Sequence, residues 1–253
     1  MYELYINGTQ VTSLNVSDIL GDSIASYNDS SNTLTISGNI TAPDNNTSCI
    51  DNSINNLTIN VASAATLTAY DKTINLKSST TITGSAQLTV LATKVPDPHN
   101  PVDTNYPIYA AVNLNISNAN LFATGTILCI QNLNITNSTL SVDYTIWGGG
   151  GNMNVTNSTV SVTNGSIMGY ISCTLTDCYF KTPQGGYYDT SKRRLVDANG
   201  NGVISVEIVA TGEPTSLEDL HVTGDHTQKI LHDGVLYIIR DGKVYNSTGI
   251  RVK

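Results

Sequence analysis

The chain has 253 residues and a net charge of −8, yet only 13 % of its residues are charged. That length suits one long repeat domain or two small ones. Between Val95 and Phe180 there is no Lys or Arg, which excludes a phosphate track for DNA or RNA and argues against an acidic polysaccharide on this part of the surface. No apolar run reaches the length of a membrane span, and no secretory signal opens the sequence.

In chain order, Tyr2, Leu4 and Ile6 alternate with polar residues, Asn7-Gly8 offers a tight hairpin turn, and Val11 returns. Residues 1–30 are read as an N-terminal cap, with a helical turn over residues 16–20. Short alternating strands follow at residues 33–37, 56–61, 73–77 and 87–91, with drifting spacing. Residues 92–108 break the pattern with Pro96, Pro98, Pro101 and Pro107, and proline cannot serve a central ladder. This is a loop, where binding residues often sit. Asp97, His99, Asp103 and Tyr106 make it a candidate ligand site, although one His and two Asp also suit a solvated excursion. No metal is assigned there.

The stretch from Asn113 to Phe180 then states one motif four times. Asn113-Leu-Asn-Ile-Ser-Asn returns as Asn132-Leu-Asn-Ile-Thr-Asn, as Asn152-Met-Asn-Val-Thr-Asn and as Ser172-Cys-Thr-Leu-Thr-Asp, every 19 or 20 residues. The alternation predicts a strand with one buried face. Further apolar positions recur at Leu121, Leu140, Val160 and Phe180, and at Ile127-Leu128, Ile146-Trp147 and Ile167-Met168. Three short strands per copy, stacking on the next copy, define a solenoid. Asn118, Asn137, Asn157 and Asp177 share one register after a strand. Such residues tolerate the left-handed backbone and can form an amide ladder. The expected fold is all-β: a right-handed parallel β-helix over residues 31–212, wound as parallel crossovers are.

Trp147 precedes four glycines, Gly148 to Gly151, and is the only Trp. Bared beside them it could stack on a sugar ring, but its column with Leu128 and Met168 favours packing within the solenoid. Tyr187 and Tyr188 precede Lys192, Arg193 and Arg194, the one basic cluster, and form the best patch for a neutral or acidic ligand. A cross-strand aromatic pair is the plainer account. Asp197, Asn199, Asn201 and Gly202 partly match a calcium loop, whose twelfth position wants Glu. Ile208 stands there and Glu207 misses by one, so calcium is a weak alternative to a plain turn and no cofactor is assigned. Cys49, Cys129, Cys173 and Cys178 fit neither a zinc site nor a disulfide framework, and Cys173 reads as a small buried residue. The many Asn-x-Ser/Thr triplets follow from the repeat. Residues 213–253 read as a linker and a small antiparallel β module, with Asp233-Gly234 and Asp241-Gly242 as hairpin turns.

The tail Lys229-Ile-Leu-His-Asp-Gly-Val-Leu-Tyr-Ile-Ile-Arg-Asp-Gly-Lys-Val-Tyr-Asn-Ser-Thr-Gly-Ile-Arg-Val resembles the C-terminal module of many secreted and surface proteins of Bacteroidetes. The opening Leu4-Tyr-Ile-Asn-Gly-Thr-Gln-Val-Thr-Ser, with Thr33-Leu-Thr-Ile-Ser-Gly, is similar to the start of adhesin-like or carbohydrate-binding solenoid proteins of gut bacteria. The resemblance implies export and a role on the bacterial surface; it supplies no catalytic residues. The expected function is a non-catalytic adhesin-like protein binding glycans or host-surface molecules. The alternatives are a polysaccharide lyase or glycoside hydrolase, and a structural spacer without a ligand. Hydrolysis needs two facing carboxylates, and Asp143 and Asp177 are the only ones in the strict copies, with Asp71, Asp97 and Asp103 scattered before them.

Overall fold

Asn118, Asn137, Asn157 and Asp177 all adopt the left-handed region, with φ of 51°, 49°, 44° and 52°. An ordinary L-residue there costs about 1–2 kcal/mol, and Asn and Asp accept it most readily. Each bends the chain between the first and second strands of its coil. The residue after the bend joins one coil to the next. The Ala119 N–H donates to Ser138 Oγ at 3.1 Å, the Ser138 N–H to Ser158 Oγ at 3.0 Å, and the Ser158 N–H to Cys178 Sγ at 3.3 Å. Ser138 and Ser158 donate in turn to the Thr136 and Thr156 carbonyls, both at 2.7 Å. The two hydroxyls are buried, so each one satisfies an amide that the bend would otherwise strand.

Repetition of this corner winds the chain into a right-handed parallel β-helix of about six coils, all-β, with no helix among the described residues. The computed structural model describes residues 1–94, 105–211, 228–232, 235–240, 243–246 and 251. Three strands make a coil, and like strands stack in register. Leu114, Leu133, Met153 and Cys173 form one inward column; Ile116, Ile135, Val155 and Leu175 form another. On the second wall Leu121, Leu140 and Val160 align. The third wall is a ten-stranded sheet whose inward column is Ile6, Ile50, Ile74, Ile108, Ile127, Ile146 and Ile167, all fully buried. Each buried Ile is worth about 1.5–3 kcal/mol relative to exposure. The β-branched chain fits both the extended backbone and its own copy one strand away.

Antiparallel strands bound the parallel run. At the start, Leu4–Ile6 pairs with Thr9–Gln10 around Asn7 and Gly8, and Ala25–Asn28 pairs with Thr33–Ile36. The helical turn expected over residues 16–20 is absent. Asp18 instead draws its neighbours into a polar turn, its Oδ1 accepting the N–H groups of Gly21, Asp22 and Ser23 at 2.9–3.1 Å. At the far end Val206–Ala210 inserts antiparallel between Thr159–Val162 and Cys178–Thr182. Ser172–Thr176 keeps one described neighbour, Asn152–Thr156. Cys173 therefore faces inward but is half-buried rather than enclosed.

The chain separates into two compact units, Met1–Ala210 and Thr211–Lys253. In the second, Gln228–His232, Val235–Arg240 and Lys243–Asn246 form the expected antiparallel meander. Its linker and its two Asp-Gly turns lie outside the described residues.

Two predictions concern the scaffold. Asn137→Ala should cost about 1–2 kcal/mol, Asn137→Gly should recover most of it, and Ser138→Ala should cost about 1–3 kcal/mol by stranding the Ala119 amide; urea denaturation measures all three. The second concerns the fully buried thiols. Cys49 Sγ reaches the Thr68 carbonyl at 3.2 Å and Cys129 Sγ the Val112 carbonyl at 3.3 Å. Burial pushes each thiol from 9.0 up to about 11. Folding thus favours the protonated thiol, so this contribution is complete below pH 9 and is lost as pH rises through about 11. The urea midpoint should fall across that window, and the Cys49→Ala/Cys129→Ala double variant should show a shallower fall.

Candidate functional site

In the ten-stranded sheet the parallel strands are two or three residues long, with an inward Ile first and one outward side chain next. That outward side chain forms a single column in direct register: Asp51, Asn75, Tyr109, Leu128, Trp147 and Met168. Tyr5 precedes it and Arg194 follows it on the antiparallel strands. Adjacent strands are spaced at about 4.8 Å, so Tyr109 to Met168 spans about 14 Å. Trp147 is 40 % exposed; Tyr109, Leu128 and Met168 are half-buried at its sides. The expectation that Trp147 packs within the solenoid is thus corrected. Its column is right, but in each Ile-x pair the Ile takes the interior and the second residue faces out, because neighbours on a strand point to opposite faces.

Glycine makes room for this platform. A Cβ on Gly169 would stand 2.5 Å from the indole Cδ1 of Trp147 and 2.1 Å from the Gly148 carbonyl oxygen. On the inward side a Cβ on Gly148 would fall 2.5 Å from the ring of Tyr170, which is fully buried. Gly149 and Gly151 press similarly on Ile130 and on the Gln131 backbone. The glycine run therefore serves close approach between coils. Tyr144, three residues before Trp147, is also exposed.

At its polar end the column meets an open pocket of about 480 Å³, lined by Tyr5, Thr47, Asp51, Asp71, Lys72 and Asn75 among others. The carboxylates there are engaged. Asp51 pairs with Lys77 at 2.7 Å, and Asp71 Oδ1 accepts the Tyr106 N–H at 3.2 Å. The Lys72 ammonium lies 4.3 Å from the centroid of the Tyr109 ring, a cation–π contact. The pocket thus offers an aromatic ring, amides, hydroxyls and balanced charges.

The outward face of the fourteen-stranded sheet differs. Its amides bond to one another: Asn134 Nδ2 donates to Asn115 Oδ1 and Asn154 Nδ2 to Asn134 Oδ1, both at 2.8 Å. A second ladder joins Asn113, Asn132, Asn152 and Ser172. Of the amide pairs between corner asparagines, Asn157 to Asn137 at 2.9 Å is formed. The ladders therefore run mainly beside the corner column rather than in it.

The sequence candidates scatter. Asp97, His99 and Asp103 lie outside the described residues, and Tyr106 is half-buried next to Asp71. Tyr187 and Tyr188 take opposite faces of the strand Tyr187–Asp189. Tyr187 is exposed on the outward side. Tyr188 points inward and donates to the Tyr170 carbonyl at 2.9 Å, and burial pushes it up to about 12. Arg193 occupies the hairpin turn with φ of 49°. Arg194 joins the end of the outward column, its guanidinium packed where a Gly202 Cβ would be. The four residues therefore form no single patch. In the calcium-like loop Asp197 Oδ1 accepts the N–H groups of Asn199 and Asn201, both at 2.8 Å, while Lys192 Nζ donates to the Gly200 carbonyl at 2.9 Å. Among the described residues no group of three or more His, Cys, Asp and Glu is placed to hold a metal ion.

Sequence reasoning missed Tyr5, Lys72, Tyr109, Leu128 and Met168. Leu128 and Met168 stand in the recurring Ile-x column, whose direction the strand register fixes, and the pocket residues come from less regular coils. No protein-family model, curated protein or solved structure matches the chain.

A fluorescence prediction follows from the lone Trp. Trp147 emission should be long-wavelength and readily quenched by acrylamide in the native state. Gly148→Ala, which drives a methyl into Tyr170, should cost about 1–3 kcal/mol and shift that emission, as read by denaturation followed at Trp147.

Proposed function

We propose that the chain is a non-catalytic, glycan-binding protein of adhesin type, and that its ligand lies across the outward face of the ten-stranded sheet. The observation that carries this reading is the outward column of Tyr109, Leu128, Trp147 and Met168, with Trp147 exposed at its centre, which ends in a polar pocket. A pyranose ring presents C–H groups on its faces and hydroxyls at its edge. The first stack on aromatic rings, and the second need planar polar side chains. An outward apolar strip with an exposed Trp at its centre and polar groups at its end suits an interaction surface. The Asn faces offer less, because their amides already bond one another. The lack of Lys and Arg from Val95 to Phe180 favours a neutral ligand. Display outside a bacterial cell, facing a host or bacterial surface molecule, rests on the resemblance of the tail to exported modules.

A second reading, a polysaccharide-cleaving enzyme, has one observation in its favour: Asp51 and Asp71 line the same pocket. Both carboxylates already have partners, which suits binding better.

Affinity electrophoresis through gels containing xylan, galactomannan, hydroxyethylcellulose, starch or laminarin tests both readings. Retardation in at least one gel is expected, without release of reducing ends or unsaturated products. Trp147→Ala should weaken it about tenfold, equivalent to ~1.4 kcal/mol. Products from any of these polymers, abolished by Asp51→Asn or Asp71→Asn, favour the enzyme. No retardation in any gel, or retardation indifferent to Trp147→Ala, removes the glycan reading.

A further inference from the structure

We infer that the ligand is an extended, neutral, β-1,4-linked glycan of ribbon form, lying along the solenoid axis with one disaccharide for every two coils. The inference rests on the binding site proposed above and adds the class of polymer.

Its basis is the spacing of the two aromatic platforms. Tyr109 and Trp147 occupy the same outward column with only Leu128 between them. They are therefore two strand spacings apart, about 9.6 Å. Register along this column is direct from Asn75 to Met168, with no bulge to turn one platform away from the other. The fourteen-stranded sheet, in contrast, shifts register at Gly84. Two stacking surfaces on one straight line, backed by a rigid sheet, fit a ligand that is itself straight and that repeats at the same interval.

An extended β-1,4-linked pyranose chain has that form. Successive rings are flipped about the chain axis, so every second ring presents the same face, and the two-ring repeat is close to the Tyr109–Trp147 interval. Rings on Tyr109 and Trp147 would leave the intervening ring over Leu128 and the next over Met168, both apolar. Helical polymers, such as α-1,4- or β-1,3-glucans, curve away from a straight track and reach one platform only. The strip between the platforms carries no charge, which suits neutral sugars over uronates. The Lys72 ammonium lies over the Tyr109 ring and lines the neighbouring pocket, so a sugar ring stacking on that face of Tyr109 requires the flexible Lys72 side chain to swing aside into the pocket.

Isothermal titration calorimetry of the full chain tests this with cellohexaose, xylohexaose and mannohexaose against maltohexaose and laminarihexaose. At least one β-1,4 hexaose should bind tenfold or more tightly than both helical hexaoses, and tenfold or more tightly than its own disaccharide. Tyr109→Ala and Trp147→Ala should each weaken that binding about tenfold, with unchanged far-ultraviolet circular dichroism showing that both variants fold. Maltohexaose or laminarihexaose binding as tightly as every β-1,4 hexaose, and lost in Trp147→Ala, would overturn the ribbon inference and leave the glycan site standing. Hexaose binding no tighter than disaccharide binding would also overturn the ribbon. Binding by none of the five, or binding indifferent to both substitutions, would overturn the inference and the site together.

Discussion

The bend at Asn118, Asn137 and Asn157 leaves, after each, one amide that the preceding strand does not satisfy. The buried hydroxyl of the next coil meets it, Ser138 for Ala119 and Ser158 for Ser138. This hydrogen bond couples the two demands of the fold. The Asn before it must turn left-handed to end the strand, and the Ser after it must lie where the previous coil needs an acceptor. Neither works without the coil above. A single coil would expose both its apolar side chains and its stranded amide, so stability accrues between neighbours rather than within a unit. Cys178 shows the rule weakening: its sulfur takes the hydroxyl's position at 3.3 Å, at the last coil before antiparallel strands take over.

The outward faces obey a different constraint. A side chain on a parallel in-register sheet meets its own kind above and below, so like charges would repel at every step. The fourteen-stranded face resolves this with amides, which can donate and accept along the same line. The ten-stranded face resolves it with apolar and aromatic groups. The first choice closes the surface chemically, since each amide is consumed by the next. The second leaves the surface open to another molecule, because an aromatic face stays unspent after its edges have packed.

Much of the scaffold was legible because identity at a fixed period leaves few other architectures. Asn118, Asn137, Asn157 and Asp177 announced the corner from sequence alone, and their φ values confirm it. The site was less legible for a physical reason. Periodicity locates a column but not its direction where two apolar residues are adjacent. Ile146 and Trp147 both suit a core, and only the registry of Ile127, Ile146 and Ile167 decides that the Trp faces out. The pocket was harder still. Tyr5 comes from the antiparallel strand at the start, and Thr47, Asp51, Asp71 and Lys72 from the irregular coils after it, so no common spacing ties them together. The helical turn expected at residues 16–20 gave way to other partners: the Val16 carbonyl and the Ile19 amide bond to Tyr27 and Ala25, and Asp18 takes the amides of Gly21, Asp22 and Ser23.

Direct register between coils also gives the outward column a unit of length. Leu128 and Trp147 differ by one complete coil of 19 residues, and each pairs above and below in the same direct parallel register. A duplicated coil could enter between them at little conformational expense and would lengthen the track by one strand spacing. A gene for this fold can thus change the reach of its surface in whole steps, by recombination within the repeat, while the corner chemistry and both ends stay untouched. Such a surface is tuned by counting coils, and the identity of each outward residue then becomes a separate choice made one step at a time.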